Sequence, residues 1–207
     1  MKIFVAHYTP LTERKKHILD EFKKHNISDF EFIETHDKEQ LTEMELNLFS
    51  NISSAECSCF LKHIEIFKKI YKDDGNHDNF SLIFEDDAML IPKFNDELEC
   101  YMKTIPDNFD IIFPGECANL HIKTTEPNKH FYKTCSARGT CFYIVNNNIV
   151  KKILDKFNED TQHNKILVPV DWWFNKIIPE LNLQSYWTEP TLVYQGSEIG
   201  SIKSAIC

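Results

Sequence analysis

The alternation of apolar and polar positions divides this chain into short buried strands and amphipathic helices. Lys2 to Ala6 is an apolar run closed by the turn signal His7-Tyr8-Thr9-Pro10, which predicts a first buried strand. From Glu13 to His25, Ile18, Leu19 and Phe22 recur at helical spacing among charges, and Phe30 to Ile33 reads as a second strand. Strand, helix, strand at this spacing predicts a parallel sheet with helices packed on it. The chain then stays polar until Ser53. Ser53-Ser54-Ala55-Glu56 has the pattern of a capping box, in which serine and glutamate satisfy the free amides of a helix start. The helix it opens is expected to run to about Tyr71, with Phe60, Ile64, Phe67 and Ile70 or Tyr71 inward, and to stop at Asp73-Asp74-Gly75-Asn76.

Next comes an apolar strand, Phe80 to Phe84, which breaks abruptly into Glu85-Asp86-Asp87. Phe94 to Lys103 reads as a helix, Phe109 to Phe113 as a strand ended by Pro114-Gly115, and 116 to 135 as loop-rich. A strand over Gly139 to Val145 leads to a helix over Ile149 to Phe157, capped from Asn146-Asn147-Asn148. A short helix after Pro169 and strands near Leu183 to Trp187 and Leu192 to Tyr194 complete the pattern. No repeat or linker interrupts it, so the expectation is one α/β domain of 207 residues.

Composition narrows the function. Apolar residues at 42% and aromatics at 13% specify a compact globule. A net charge of -9 argues against a nucleic-acid partner, since duplex binding needs a basic footprint. An anionic ligand can still be held through a metal ion and a few placed cations. No apolar run approaches the ~18 residues of a membrane span, and the start of the chain turns polar too soon for a signal peptide, so a cytoplasmic protein is expected. The seven cysteines then read as reduced thiols. Cys57 and Cys59 form a Cys-x-Cys pair with no second pair or His cluster, which argues against a zinc site. Of 23 basic residues only Arg14 and Arg138 are arginine, whose planar fork suits a diphosphate or carboxylate.

Glu85-Asp86-Asp87 carries the most chemistry. Three adjacent carboxylates at a strand end repel one another, and a hard divalent cation offsets that cost. By the two-residue period of a strand, Glu85 and Asp87 face one way, toward a metal, and Asp86 the other, toward a ribose or a backbone amide. In open α/β sheets the ligand crevice lies at the carboxyl ends of the strands, where this cluster falls. Asp171, before Trp172-Trp173, is a second carboxylate of interest, because aromatic surroundings raise a carboxyl pKa toward that of a useful base. Adjacent helical residues do not share a face, so at least one of the two tryptophans belongs in the core.

In order along the chain, five blocks resemble glycosyltransferase family 25, the family of bacterial lipooligosaccharide and collagen-hydroxylysine galactosyltransferases. The first strand with Leu11-Thr12-Glu13-Arg14 resembles its opening strand and arginine-bearing loop, and Phe32-Ile33-Glu34-Thr35-His36-Asp37 its second strand ending in aspartate. Glu56 to His63 resembles its Glu-x-Gly-Cys-x-x-Ser-His block, Leu82 to Asp87 its Leu-Glu-Asp-Asp, and Ser136 to Val145 its Gly-Thr-x-x-Tyr strand. Pro169-Val170-Asp171 and Gln195 resemble closing blocks. Departures are Lys62 and Ser58, where the family has serine and glycine, and a missing asparagine in the opening loop.

The resemblance implies a single GT-A-like domain, a mostly parallel twisted sheet flanked by helices. A nucleotide-sugar half would cover about 1–115 and an acceptor half about 116–207. It further implies a UDP-sugar donor, Mn²⁺ or Mg²⁺ on Asp87 and Glu85, and transfer of galactose or glucose with inversion. Asp171 would be the base. Arg14 would reach the donor phosphates, and Arg138 the donor or the acceptor. Asp86, His63, Gly139, Thr140 and Gln195 would face the donor. A glycan, a lipid-linked sugar and hydroxylysine are the acceptors expected. Two rival readings stand beside it: a Mg²⁺-dependent phosphohydrolase using the same acidic cluster, which leaves the Gly139-Thr140 and Asp171 blocks unexplained, and a non-catalytic carbohydrate-binding protein with a decayed site, against which the intact carboxylate cluster argues.

Overall fold

The computed structural model describes residues 1–72, 79–124, 126 and 128–204. The helix stop expected at Asp73 to Asn76 lies outside the described residues. In chain order the elements are β1 (Lys2–Ala6), α1 (Thr12–Lys24), β2 (Glu31–Ile33), α2 (Glu43–Leu46), α3 (Ser54–Lys72), β3 (Phe80–Glu85), β4 (Ala88–Leu90) and α4 (Phe94–Thr104). They continue with β5 (Ile111–Phe113), β6 (Gly115–Glu116), β7 (Phe131–Thr134), β8 (Phe142–Asn146), a 3₁₀ turn (Asn147–Ile149), α5 (Val150–His163), α6 (Val170–Glu180), β9 (Ser185–Thr188) and β10 (Val193–Gln195).

The capping box forms as expected. Ser53 N donates to Glu56 Oε2 at 2.6 Å and Glu56 N to Ser53 Oγ at 3.2 Å, which fixes where α3 begins. Thr42 and Glu45 make the same box for α2, a single turn inside the stretch that reads as merely polar.

Seven strands form the main sheet in the order β2-β1-β3-β8-β5-β9-β7. The pairs β1–β2, β1–β3 and β5–β9 are parallel, while β3–β8, β5–β8 and β7–β9 are antiparallel. The α/β class therefore holds, but the sheet is mixed rather than mostly parallel. The physical causes are β8, which enters the sheet from the end where β3 leaves it and so pairs antiparallel with both neighbours, and the edge strand β7, which runs antiparallel to β9.

Alternation along the central strands feeds two cores. On one face Ile83, Tyr143, Ile111 and Phe113 pack with Phe60 and Phe67 of α3, Ile153 of α5 and Phe174 of α6. On the other, Leu82, Phe84, Phe142 and Ile112 pack with Phe22 of α1 and Phe94 and Leu98 of α4. Phe84 stacks on Phe142 with ring centroids 4.3 Å apart. Each such ring contributes about 1.5–3 kcal/mol by leaving water, so β3 and β8 are held rigidly where they end.

A second sheet, β4-β10-β6, caps the carboxyl end of the first. Its antiparallel register sets Gln195 opposite Ala88, so the chain's late strand returns beside the acidic triplet. Among the described residues no helix is long and apolar enough to cross a membrane.

Candidate active site

The parallel register of β1 and β3 sets Ala6 opposite Glu85, so the loops leaving both strands meet at the carboxyl end of these interior strands. There they line a cleft with Glu85, Asp86, Asp87, Arg14, Lys62 and Gln195 in its wall. The strand period does not govern the triplet. β3 ends at Glu85, and Asp86 and Asp87 occupy the turn before β4, so the three carboxylates spread to three different sets of partners.

Asp86 is the most tightly held. His7 Nδ1 lies 2.8 Å from its Oδ2, the Tyr8 backbone N donates to the same oxygen at 3.2 Å, and Arg14 Nη1 donates to Oδ1 at 2.8 Å. Burial by itself would raise this carboxyl, but the His7 hydrogen bond and the Arg14 charge outweigh it and hold it below the usual carboxylate range.

Asp87 is different. It is 1% exposed, its Oδ2 is 3.6 Å from Arg14 Nη2, and its Oδ1 is buried with no hydrogen-bond partner. Burial, with the charge of Glu85 second, pushes its carboxyl up to about 6.

Glu85 turns toward α3 and the entry to β8. Its Oε1 accepts from Thr140 Oγ1 at 2.5 Å and lies 3.4 Å from His63 Nε2 and 3.9 Å from Cys59 Sγ. Burial opposes ionisation here too. The bonds from His63 and Thr140 win, and Glu85 sits below the usual range. His63 is fully buried, with Nδ1 2.9 Å from the Tyr143 hydroxyl. Thr140 and His63 thus touch the triplet itself rather than open space.

Arg14 is buried along the same wall. Besides Asp86 it donates from Nε and Nη2 to the Lys203 carbonyl, at 3.2 and 2.7 Å. Burial lowers its pKa, but Asp86, Asp87 and Glu85 together outweigh this and raise it. Gln195 joins the wall through the β4–β10 register, and Ser197 lines it close enough to Asp87 to draw that carboxyl's pKa down in part.

Asp171 lies in the first turn of α6, half-buried, and burial followed by the charge of Glu85 raises its carboxyl. It is therefore within electrostatic reach of the triplet. Trp173 is core and donates from Nε1 to Asp160 at 2.9 Å, while Trp172 is 63% exposed.

Five expected site residues do not line the cleft: His63 and Thr140 reach it only through Glu85, Asp171 acts on Glu85 by charge, and Arg138 and Gly139 are held elsewhere. Arg138 is 1% exposed and committed elsewhere: Nη2 pairs with Glu189 Oε1 at 2.7 Å, Nη1 donates to the Thr188 carbonyl at 2.9 Å, and the guanidinium lies 4.5 Å over the Trp187 ring. Gly139 has φ +71°, and a Cβ there would come within 2.6 Å of Cys117 Cβ. Its role is to let the chain turn in tight packing. That turn also delays β8, which begins at Phe142 rather than at 139.

Three participants escape a sequence reading. His7 had a faint signal, as the first polar residue after β1. Lys62 is 3% exposed, donates to Asp37 Oδ1 at 2.8 Å and to the Thr35 carbonyl at 2.5 Å, and so ties α3 to the segment after β2. Its signal was a cation inside the apolar stripe of α3. The Lys203 carbonyl had none, because any residue carries one.

Comparisons with known proteins bear on the family and the fold. A family profile described as glycosyltransferase family 25 (LPS biosynthesis protein) matches residues 1–173. A protein of Acanthamoeba polyphaga mimivirus described as a glycosyltransferase is 29% identical over 126 residues, which cover 58% of this chain and 38% of that relative. The chain thus matches well under half of the relative's length. Among solved structures, a glycosyltransferase involved in the glycosylation of the major capsid of PBCV-1 aligns with a TM-score of 0.53 at 11% identity. That alignment covers 97% of this chain and 96% of the other, and it bears on the fold, which is GT-A-like. With the profile running through β1, the acidic triplet and Asp171, the chain belongs to glycosyltransferase family 25.

Proposed function

We propose that this chain transfers a hexose, galactose or glucose, from a UDP-sugar to an acceptor hydroxyl with inversion, and that it needs Mn²⁺ or Mg²⁺. The observation that carries the reading is Asp87, a buried carboxylate with an oxygen that nothing satisfies, in the wall of a cleft already crowded with negative charge. An unpaired buried acceptor costs about 1–3 kcal/mol, more when charged, and a cation in the cleft would offset it. The donor set fits a hard divalent ion, since carboxylate oxygens are what Mg²⁺ and Mn²⁺ take. Asp87 would hold the ion, with Glu85 second. Once bound, it would neutralise charge growing on the departing nucleoside diphosphate.

The remaining roles fall to the chain's own groups. Asp86, fixed by His7 and Arg14, faces the ribose side of the donor. Arg14 exchanges its bonds to the Lys203 carbonyl for bonds to a diphosphate oxygen. Tyr8 and Lys38, whose ammonium lies 5.2 Å over the Tyr8 ring, wall the nucleoside end. Asp171 takes the acceptor proton, and its raised pKa suits that task. The cleft is lined chiefly from the first 115 residues, which supports a nucleotide half there and an acceptor half after it. A glycan, a lipid-linked sugar or hydroxylysine supplies the hydroxyl.

A panel of UDP-sugars scored for hydrolysis and transfer, with Mn²⁺ and with EDTA, tests the reading. Metal-dependent consumption of one UDP-hexose is expected. Phosphate release from simple esters without an acceptor would instead favour a phosphohydrolase. Asp171→Asn should lower turnover about 10²–10⁴-fold with donor affinity spared, and lost donor binding in that variant would move Asp171 to the metal.

A further inference from the structure

Cys59, His63 and Glu85 bring a thiol, an imidazole and a carboxylate oxygen within 4.8 Å of one another. Cys59 and His63 stand one helical turn apart on the same face of α3, and Glu85 meets them from the end of β3. The Cys-x-Cys spacing gave no hint of this, because the second and third donors come from one turn on and from another element. We propose that these three side chains form a binding site for a borderline-soft divalent cation, of which Zn²⁺ is the type, and that its occupation blocks the hard-cation site at Asp87.

The donor set is the first argument. Sulfur, nitrogen and one carboxylate oxygen with a fourth position left to water is zinc chemistry, whereas Mg²⁺ and Mn²⁺ avoid thiolates. The surroundings are the second. His63 is fully buried, and its Nδ1 is 2.9 Å from the Tyr143 hydroxyl, an outer contact of the kind that orients a ligating ring and leaves Nε2 facing Glu85. Thr140 holds the same Glu85 oxygen at 2.5 Å, so the carboxylate is oriented before any ion arrives. The third is access: Cys59 and Glu85 both line the cleft, which gives an entry path.

Binding is a simple exchange. The ion gains a sulfur, a nitrogen and an oxygen ligand, sheds waters, and the Cys59 thiol loses one proton to solvent. Glu85 is then drawn toward α3 and away from Asp87. The binding itself stands independently of the sugar-transfer reading, while the inhibitory consequence rests on it.

Co²⁺ alone, added to the full chain, provides the test, because a cobalt–thiolate bond gives a near-ultraviolet charge-transfer band. One equivalent is expected to produce the band, and one equivalent of Zn²⁺ to abolish it. Cys59→Ala, a truncation at the cleft wall, should remove the band and weaken Zn²⁺ by at least the ~10–100-fold typical of losing even an outer-shell partner. Zn²⁺ should also suppress Mn²⁺-supported transfer in the wild type far more than in Cys59→Ala, each measured against its own zinc-free rate. A wild type without the band, or a variant that keeps it, would overturn the site. A band with no zinc effect on transfer would overturn the blockade alone.

Discussion

The chain's two arginines sit in centres built almost alike. At Asp86 a carboxylate receives an arginine, a histidine ring nitrogen and a backbone amide, from Arg14, His7 and Tyr8. At Glu189 the same three groups come from Arg138, His121 and Ile122, at 2.7, 3.2 and 2.9 Å. The contrast lies in the charge around them. Three carboxylates act on Arg14 and outweigh its burial, so its pKa rises. Burial dominates at Arg138, where Glu189 and then Glu116 do not compensate, so its pKa falls. One centre carries surplus negative charge beside a cleft; the other is enclosed under Trp187. Local hydrogen-bond pattern therefore does not mark a site. Uncompensated charge with a way in does.

Substitutions can separate the two centres. The largest effect is expected from Arg138→Met, which leaves Glu189 buried without its cation and should cost about 3–5 kcal/mol of stability, read from urea midpoints. UDP affinity of the folded fraction should not change. If it fell, Arg138 would belong to the donor site after all. Arg14→Met should also cost stability, because it strips the buried Asp86 of its cation. Unlike Arg138→Met, it should in addition weaken metal-supported UDP binding of the folded protein ~10–150-fold, the equivalent of about 1.5–3 kcal/mol for a hydrogen bond to charge. Unchanged affinity there would leave the comparison without content.

The smallest effect is one of pH. Asp87 titrates at about 6, and its protonated form does not ligate. Mn²⁺ affinity should be flat above that value and fall about tenfold per pH unit below it. Glu85 and Asp86, both held low, add nothing to this window. Affinity independent of pH from 5 to 7 would remove Asp87 from the metal.

Elements written in local signals were legible. β1, the capped start of α3 and the apolar run of β3 ending in acids follow from patterns within a few residues, and they place the cleft at the carboxyl ends of the strands. What could not be read depended on distant partners. The antiparallel entry of β8 is decided by its pairing with β3 and β5, remote in sequence, and β4 finds its partner only when β10 returns more than 100 residues later. The same holds within the site. Arg138 looked available beside Gly139-Thr140 because Glu189 and Trp187 are remote in sequence, and His7 looked like a turn residue because Asp86 is 79 positions away. Side-chain alternation misled at 85–87 since it presumes a strand that has already ended.

Isothermal titration of UDP into the wild type and into Asp87→Ala, each with Mn²⁺ and with EDTA, bears most directly on whether the unsatisfied carboxylate holds the ion that holds the donor. The account predicts tight binding only for wild type with Mn²⁺, and a loss on the order of 100-fold in the other three conditions, as expected when several kcal/mol of charge stabilisation are removed. Equal Mn²⁺-dependent affinity in Asp87→Ala would contradict it.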